Sequence, residues 1–220
     1  MSTSYSPKIV TDGLVLALDA ANRKSYPSSG TTWSDLSGNL NSGSLINGPT
    51  FNGANGGSIV FDGSNDYVQT NINRSFTAMT LMGFIKRNGT QVDYTGIFYS
   101  RGSVTTGLNF YSTTQNLGYT WNDAVNTYTF NSNLLVPNNT WCMVAMSVTS
   151  TTATLYVNTS SAINTVSHTS TTIDDLRLGA DEFGSRFMNG NIANVMMYNR
   201  ALSADEVLQN FNATRGRFGV

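Results

Sequence analysis

Apolar and polar residues alternate with a period of two along almost the whole chain, in short runs bounded by Gly, Asn and Ser. That period belongs to half-buried strands rather than helices. Leu14, Leu16 and Leu18 alternate with Val15 and Ala17 before Asp19 closes the run. Residues 58–62 and 66–70 predict two short strands around Gly63-Ser64-Asn65. Residues 77–87 predict a long strand apolar on both faces, with Met79, Leu81 and Ile85 on one and Met82 and Phe84 on the other. Aromatic-rich runs at 96–101, 107–112, 118–122 and 126–131 follow at meander spacing. Residues 140–148 and 152–158 form the clearest hairpin: Cys142, Val144, Met146 and Val148 share one face, Ala153, Leu155 and Val157 the other strand's equivalent, and Thr149-Ser150-Thr151 joins them. Runs at 173–179 and 191–198 complete the set.

One helix breaks the pattern. Ser203-Ala-Asp-Glu206 has the form of a capping box, in which Ser203 accepts from the Glu206 N–H and Glu206 reaches back to that of Ser203. Leu202 and Val207 stand at the two positions of a hydrophobic staple, Asp205 suits the positive helix end, and Val207, Leu208 and Phe211 supply an apolar face. The helix is expected over 203–212, clasping the sheets. With no linker or change of composition, the chain reads as a single domain over 1–220, with tails at 1–8 and 213–220. The fold class is therefore all-β, an antiparallel β-sandwich with a short C-terminal helix.

Composition sharpens this. Only 11% of residues are charged, against about 25% in ordinary globular domains; Asn, Thr, Ser and 20 Gly take the polar positions. At 220 residues with 40% apolar content, one large core is affordable. A net charge of −1 without any Lys/Arg cluster argues against nucleic acid as a partner. No apolar stretch reaches the roughly 18–20 residues of a membrane span. Met1–Pro7 lacks the basic region and apolar core of a signal peptide, so folding in a cytoplasm is expected. The lone Cys142 excludes an internal disulfide and, within an apolar run, reads as a buried thiol.

Several blocks carry a family resemblance. Gly13-Leu-Val-Leu-Ala-Leu-Asp-Ala-Ala-Asn22, Thr32-Trp-Ser-Asp-Leu-Ser-Gly38 and Gly57-Ser-Ile-Val-Phe-Asp-Gly-Ser-Asn-Asp-Tyr-Val68 resemble the opening of laminin-G-like, concanavalin A-like jelly-roll domains. Trp141–Ser147 with Thr154–Asn158 is similar to their central hairpin, and 176–179 with 187–206 to their closing strand and helix. Trp33 and Trp141, inside these blocks, read as core. Residues 9–39 further resemble the start of laminin-G-like proteins of tailed bacteriophages. That resemblance implies a virion component, a head decoration, head fibre or tail part, that docks on other virion proteins, forms homo-oligomers and adheres to host glycans. A free-standing, calcium-assisted lectin is the alternative.

Retaining sugar hydrolysis needs two carboxyl groups about 5–5.5 Å apart, yet the chain has two glutamates, Glu182 and Glu206; the second belongs to the capping box and no strand carries an E-x-D pattern. Asp181 and Glu182 are adjacent, so on an extended segment they diverge. His168, the single histidine, reads as an exposed strand-end residue. The chain is therefore expected not to be an enzyme and to require no cofactor. Asp62, Asn65 and Asp66 gather oxygens that a structural calcium could use, or that bond their own turn; Asp19, near Asn22, is a second-rank ligand or a loop brace. For sugar, the candidates are Tyr94, Tyr99, Tyr111, Tyr119, Trp121 and Tyr128, interleaved with Asn and Thr, each of which could equally fill the core. The neutral strand edges favour self-assembly, and Arg215–Val220 reads as a docking tail or a frayed end.

Overall fold

Met79–Arg87 shows how two-sided alternation builds this molecule: Met79, Leu81 and Ile85 point between two sheets, while Met82 and Phe84 point out beneath a helix. The computed structural model describes residues 7–181 and 183–220. Met79–Arg87 lies inside an eight-stranded antiparallel sheet ordered Ser160–Asn164, Ala153–Val157, Cys142–Val148, Met79–Arg87, Asn189–Tyr198, Ser58–Asp62, Thr50–Asn52. Leu14–Asp19 pairs with the second half of Asn189–Tyr198, beyond the stretch taken by Ser58–Asp62. Against this sheet packs a seven-stranded one, ordered Asn116–Thr120, Thr105–Tyr111, Gly96–Arg101, Leu176–Leu178, Tyr67–Thr70, Gly43–Ile46, Thr32–Trp33. Arg74–Phe76 and Thr171–Ile173 form a small separate ribbon. The main core, with Trp33, Phe61, Phe98, Phe110, Cys142 and Leu155, fills the space between the sheets. Burial pushes the Cys142 thiol up to about 12, so it stays protonated and inert.

The helix Ala204–Thr214 covers the outer face of the eight-stranded sheet. Its capping box forms as expected, Ser203 Oγ accepting from Glu206 N at 3.3 Å and Glu206 Oε2 accepting from Ser203 N at 2.9 Å. Arg200 also grips the Glu206 carboxylate and, with the Ser203 N–H, holds it down to about 2. Val207 and Phe211 press on Met82, Phe84, Met196 and Tyr198 to make a second core. Asn210, buried, accepts from Val10 N at 2.7 Å and donates to the Tyr198 hydroxyl at 3.0 Å, tying the start of the chain to this layer.

Four expectations are corrected. Residues 126–131 are not a strand: Asn122 and Asp123 both adopt positive φ and turn the chain, and Val125–Tyr128 forms one helical turn closed by the Thr127 side chain, which takes Trp121 N and gives to Ala124 O. The run 173–179 splits between the ribbon and the large sheet, because the Asp174 carboxylate accepts the Ser103 N–H and bends the chain there. The terminal tail neither frays nor projects: after the helix it folds back so that Phe218 stacks on Phe84, and Arg217 pairs with Asp19 at 2.8 Å. Trp141 is half-buried at the edge of the second core, its Nε1 donating to Asn55 Oδ1 at 3.2 Å.

Candidate functional site

With the helix over one sheet, the sheet face left open is the outer face of the seven-stranded sheet, and strand register decides what it carries. Tyr99 pairs with Gly107 and Tyr119 with Leu108, so alternate positions place Tyr99, Asn109, Tyr111 and Thr120 outside and Phe98, Leu108, Phe110 and Tyr119 inside. Tyr119 and Trp121 accordingly lie in the core, away from any surface site. The Tyr119 hydroxyl accepts from Asn164 at 2.9 Å and meets His168 Nε2 at 3.1 Å, while Trp121 Nε1 donates to Thr169 O at 2.7 Å. His168 is thus buried, 4% exposed, rather than surface-lying: its loop folds under against Tyr119 and Trp121.

The other tyrosines converge. Tyr94 enters from the turn before Gly96–Arg101, at φ 61°, and Tyr128 from the helical turn that replaced the expected strand. With Tyr99 they line a cleft of about 220 Å³, together with Arg101, Thr120, Asp123 and Arg186. Tyr111 stands behind Tyr94, ring edge to face at 6.1 Å. The Tyr99 hydroxyl donates to Thr120 Oγ1 at 2.7 Å, and burial raises its pKa, so it remains a protonated donor. Guanidinium groups alternate with the rings: Arg101 lies 5.8 Å from the Tyr99 ring centre and 5.6 Å from Phe183, and Arg186 5.4 Å from Tyr94 and 5.2 Å from Phe183.

These arginines escaped the sequence reading, although a signal existed. In a chain so poor in charge, an arginine at 101 closing a tyrosine-bearing strand asks for a reason, and Arg177, directly across from Tyr99 and stacked on Tyr67 at 4.9 Å, repeats the theme. Arg186, on an irregular loop, carried no periodic signal at all. Chemically, the cleft offers aromatic faces, guanidinium N–H groups, hydroxyls and one lining carboxylate, Asp123. Such a surface can hold a polar ring by stacking and paired hydrogen bonds.

The acidic candidates are elsewhere. Asp62 Oδ1 accepts from Ser64 N at 2.8 Å and Asn65 N at 3.4 Å, and Asp66 Oδ2 accepts from Asp62 N at 3.3 Å. The Ser64 N–H holds Asp62 below the usual carboxylate range; burial, then the charge of Asp62, pushes Asp66 above it. Asn65 contributes its carbonyl to Asn47 Nδ2 at 2.9 Å. Asp19 is apart from this turn, occupied by Arg217 and Ala21 N. Both carboxylates of that turn thus accept turn N–H groups, and among the described residues no group of three or more His, Cys, Asp or Glu comes together. Glu182 lies outside the described residues. Among those described, no helix is long and apolar enough to cross a membrane.

The family model described as the concanavalin A-like lectin/glucanases superfamily matches residues 62–208. Among solved structures, domain 4 of AbnA, a GH43 extracellular arabinanase from Geobacillus stearothermophilus solved with arabinotriose, superposes with a TM-score of 0.72 at 16% identity, covering 90% of this chain and 97% of that one. Trypanosoma rangeli sialidase gives 0.70 at 14%, with 97% of this chain matched to 36% of the enzyme, so the likeness is to about a third of it. The binding domain of Paraclostridial Mosquitocidal Protein 1 gives 0.63 at 16%, covering 92% and 52%. Identities this low establish a shared fold alone. No curated protein matches the chain in sequence.

Proposed function

The chain belongs to the concanavalin A-like lectin/glucanases superfamily, and from that premise we propose that it is a non-catalytic carbohydrate-binding protein whose glycan lies in the cleft on the open sheet face. The observation that carries this reading is the convergence of Tyr94, Tyr99 and Tyr128 with Arg101, Arg186, Thr120 and Asp123 around one cleft. The fold neighbours solved with arabinotriose and named a binding domain lend it support. A binding rather than hydrolytic role is supported by the carboxylates: among the described residues Asp123 is the one acid on the cleft lining, Asp181 beneath it is fully buried and paired with Arg101 and Arg186, and Glu206 is spent on the helix cap and Arg200. Binding needs no cofactor in this reading.

A glycan array with and without EDTA tests it. The protein is expected to retain a defined set of glycans, with the chelator making no difference; an array blank in both arms would overturn the proposal. For any glycan retained, Tyr94→Ala and Tyr128→Ala should each weaken binding about tenfold, because each removes a stacking face worth about 1–1.5 kcal/mol. Titration calorimetry reads this directly.

The resemblance of residues 9–39 to tailed-phage proteins supports a particular setting: a virion decoration or fibre part, assembled in a host cytoplasm, docked on other virion proteins as a homo-oligomer. The uncharged edge strand Ser160–Asn164, with Ile163 61% exposed, suits such assembly. Mass spectrometry of purified virions should find the chain, and its absence there would sink the setting without touching the glycan site.

A further inference from the structure

Beneath the cleft lies a group that does not line it. The Asp181 side chain is fully buried, 0% exposed, and takes Arg101 in a two-pronged pair, Nε to Oδ1 at 2.6 Å and Nη2 to Oδ2 at 2.9 Å. The same Oδ2 takes Arg186 Nη1 at 3.0 Å, and Oδ1 also accepts Phe183 N at 3.2 Å. Arg101 stands on the sheet and Arg186 on the loop that overhangs it, so a single carboxylate joins the floor of the cleft to its wall. That loop is closed at its base by the Ala180–Phe187 bridge and by Asp181 N donating to Arg186 O at 3.0 Å. It also sits hard on the sheet at Gly96, where a Cβ would come within 2.4 Å of the Ala180 carbonyl oxygen. The guanidiniums are therefore fixed before any ligand arrives, and fixed donors cost less ordering on binding.

The charges matter as much as the geometry. Arg101 and Arg186 bring two positive charges; Asp181 beneath and Asp123 on the lining bring two negative ones, and Arg177 across from Tyr99 is paired with Asp175 at 3.3 Å. Among the described residues the cleft is thus rich in directional donors without a net positive charge. Hydroxyl groups answer such donors, whereas a carboxylate or sulfate ligand gains most where positive charge is uncompensated.

We propose that Asp181 is the positioning and specificity-determining residue of this cleft: it locks Arg101 and Arg186 as hydrogen-bond donors and cancels enough of their charge that the cleft takes uncharged saccharides in preference to acidic ones. The proposal rests on the carbohydrate reading above for its ligand, and on the ion-pair geometry alone for the locking.

Two measurements test it. Calorimetry with arabinotriose as the neutral probe and trigalacturonate as the acidic one, at low and high salt, compares the native protein with Asp181→Asn. The native protein is expected to prefer arabinotriose, with affinity nearly independent of salt. Asp181→Asn should lose about tenfold for arabinotriose, the scale of a charged hydrogen-bond partner removed, and should gain salt-sensitive binding of trigalacturonate. A purely structural role would weaken both probes alike, so a folded variant with an unchanged neutral-to-acidic ratio overturns the proposal. Should the variant not fold, the unliganded native protein still decides: a proton-nitrogen spectrum should show the Arg101 Nε–H, assigned through Arg101→Lys, as a separate, slowly exchanging signal. A signal merged with those of solvent-exposed arginines would refute the locking. If the native protein binds neither probe, the preference for uncharged saccharides is overturned, the glycan array separately judges the carbohydrate reading, and the spectrum still judges the locking by Asp181.

Discussion

Phe84→Ala is expected to destabilise the protein by about 3–5 kcal/mol, the range for truncating a buried aromatic side chain. Phe84 is 0% exposed, yet it points away from the core between the sheets. Its ring lies against Phe218 at 4.5 Å and an interplanar angle of 15°, and against Phe211 at 5.9 Å and 9°. One side chain therefore holds the helix and the returning tail on the sheet, and the cavity left by alanine opens where all three meet. The backbone bond from Phe84 N to Asn194 Oδ1 at 2.8 Å survives the substitution, so the loss reports packing alone. Urea unfolding measures it; a loss below about 1 kcal/mol would mean that Met82, Met143 and Met196 repack into the gap. Because the cleft lies on the outer face of the other sheet, the variant should bind glycan normally while it remains folded.

The fold was largely legible because period-two alternation is a local property. Both faces of Met79–Arg87, the paired faces of Cys142–Val148 and Ala153–Val157, and the Ser203 capping box could be read from a few neighbouring residues, and each stands where it was read. The orientation of Tyr119 and Trp121 was also within reach, since both share the parity of Leu117, a core residue, while Thr120 on the same strand has the other. Most of the cleft was not. Tyr94 and Tyr128 arrive on a positive-φ turn and a single helical turn, where alternation says nothing about direction. Arg186 meets Asp181 through a loop whose path depends on the close approach of Gly96 to Ala180, a contact between residues more than eighty positions apart. Polarity misled at His168: a run of Ser and Thr suggested exposure, but the ring fits beneath because Tyr119 and Asn164 supply a polar lining inside the core.

That burial makes stability fall in acid. Burial holds His168 below the ordinary imidazole range, opposed more weakly by the Thr149 backbone. Its Nε2 meets the Tyr119 hydroxyl, and its Nδ1 has no protein partner among the described residues. A second ring proton would thus place a charge inside the sandwich. Above about pH 6.5 folded and unfolded chains both carry a neutral ring, and His168 contributes nothing to the slope. As pH drops below that value the unfolded chain takes up the proton while the folded chain resists, so unfolding gains, by at most about 1.4 kcal/mol per pH unit, until the folded-state pKa is reached. With His168 the single histidine, little else titrates between pH 5 and 8. Glu206 acts later: its pairing with Arg200 stabilises the fold above its ordinary range and is lost only as pH falls towards about 2. Urea midpoints measured from pH 8 down to 5 should therefore stay level to about pH 6.5 and then decline by up to about 2 kcal/mol. His168→Gln, less stable at pH 8 through lost packing, should show no such decline, and a native profile as flat as the variant's would place the imidazole in solvent after all.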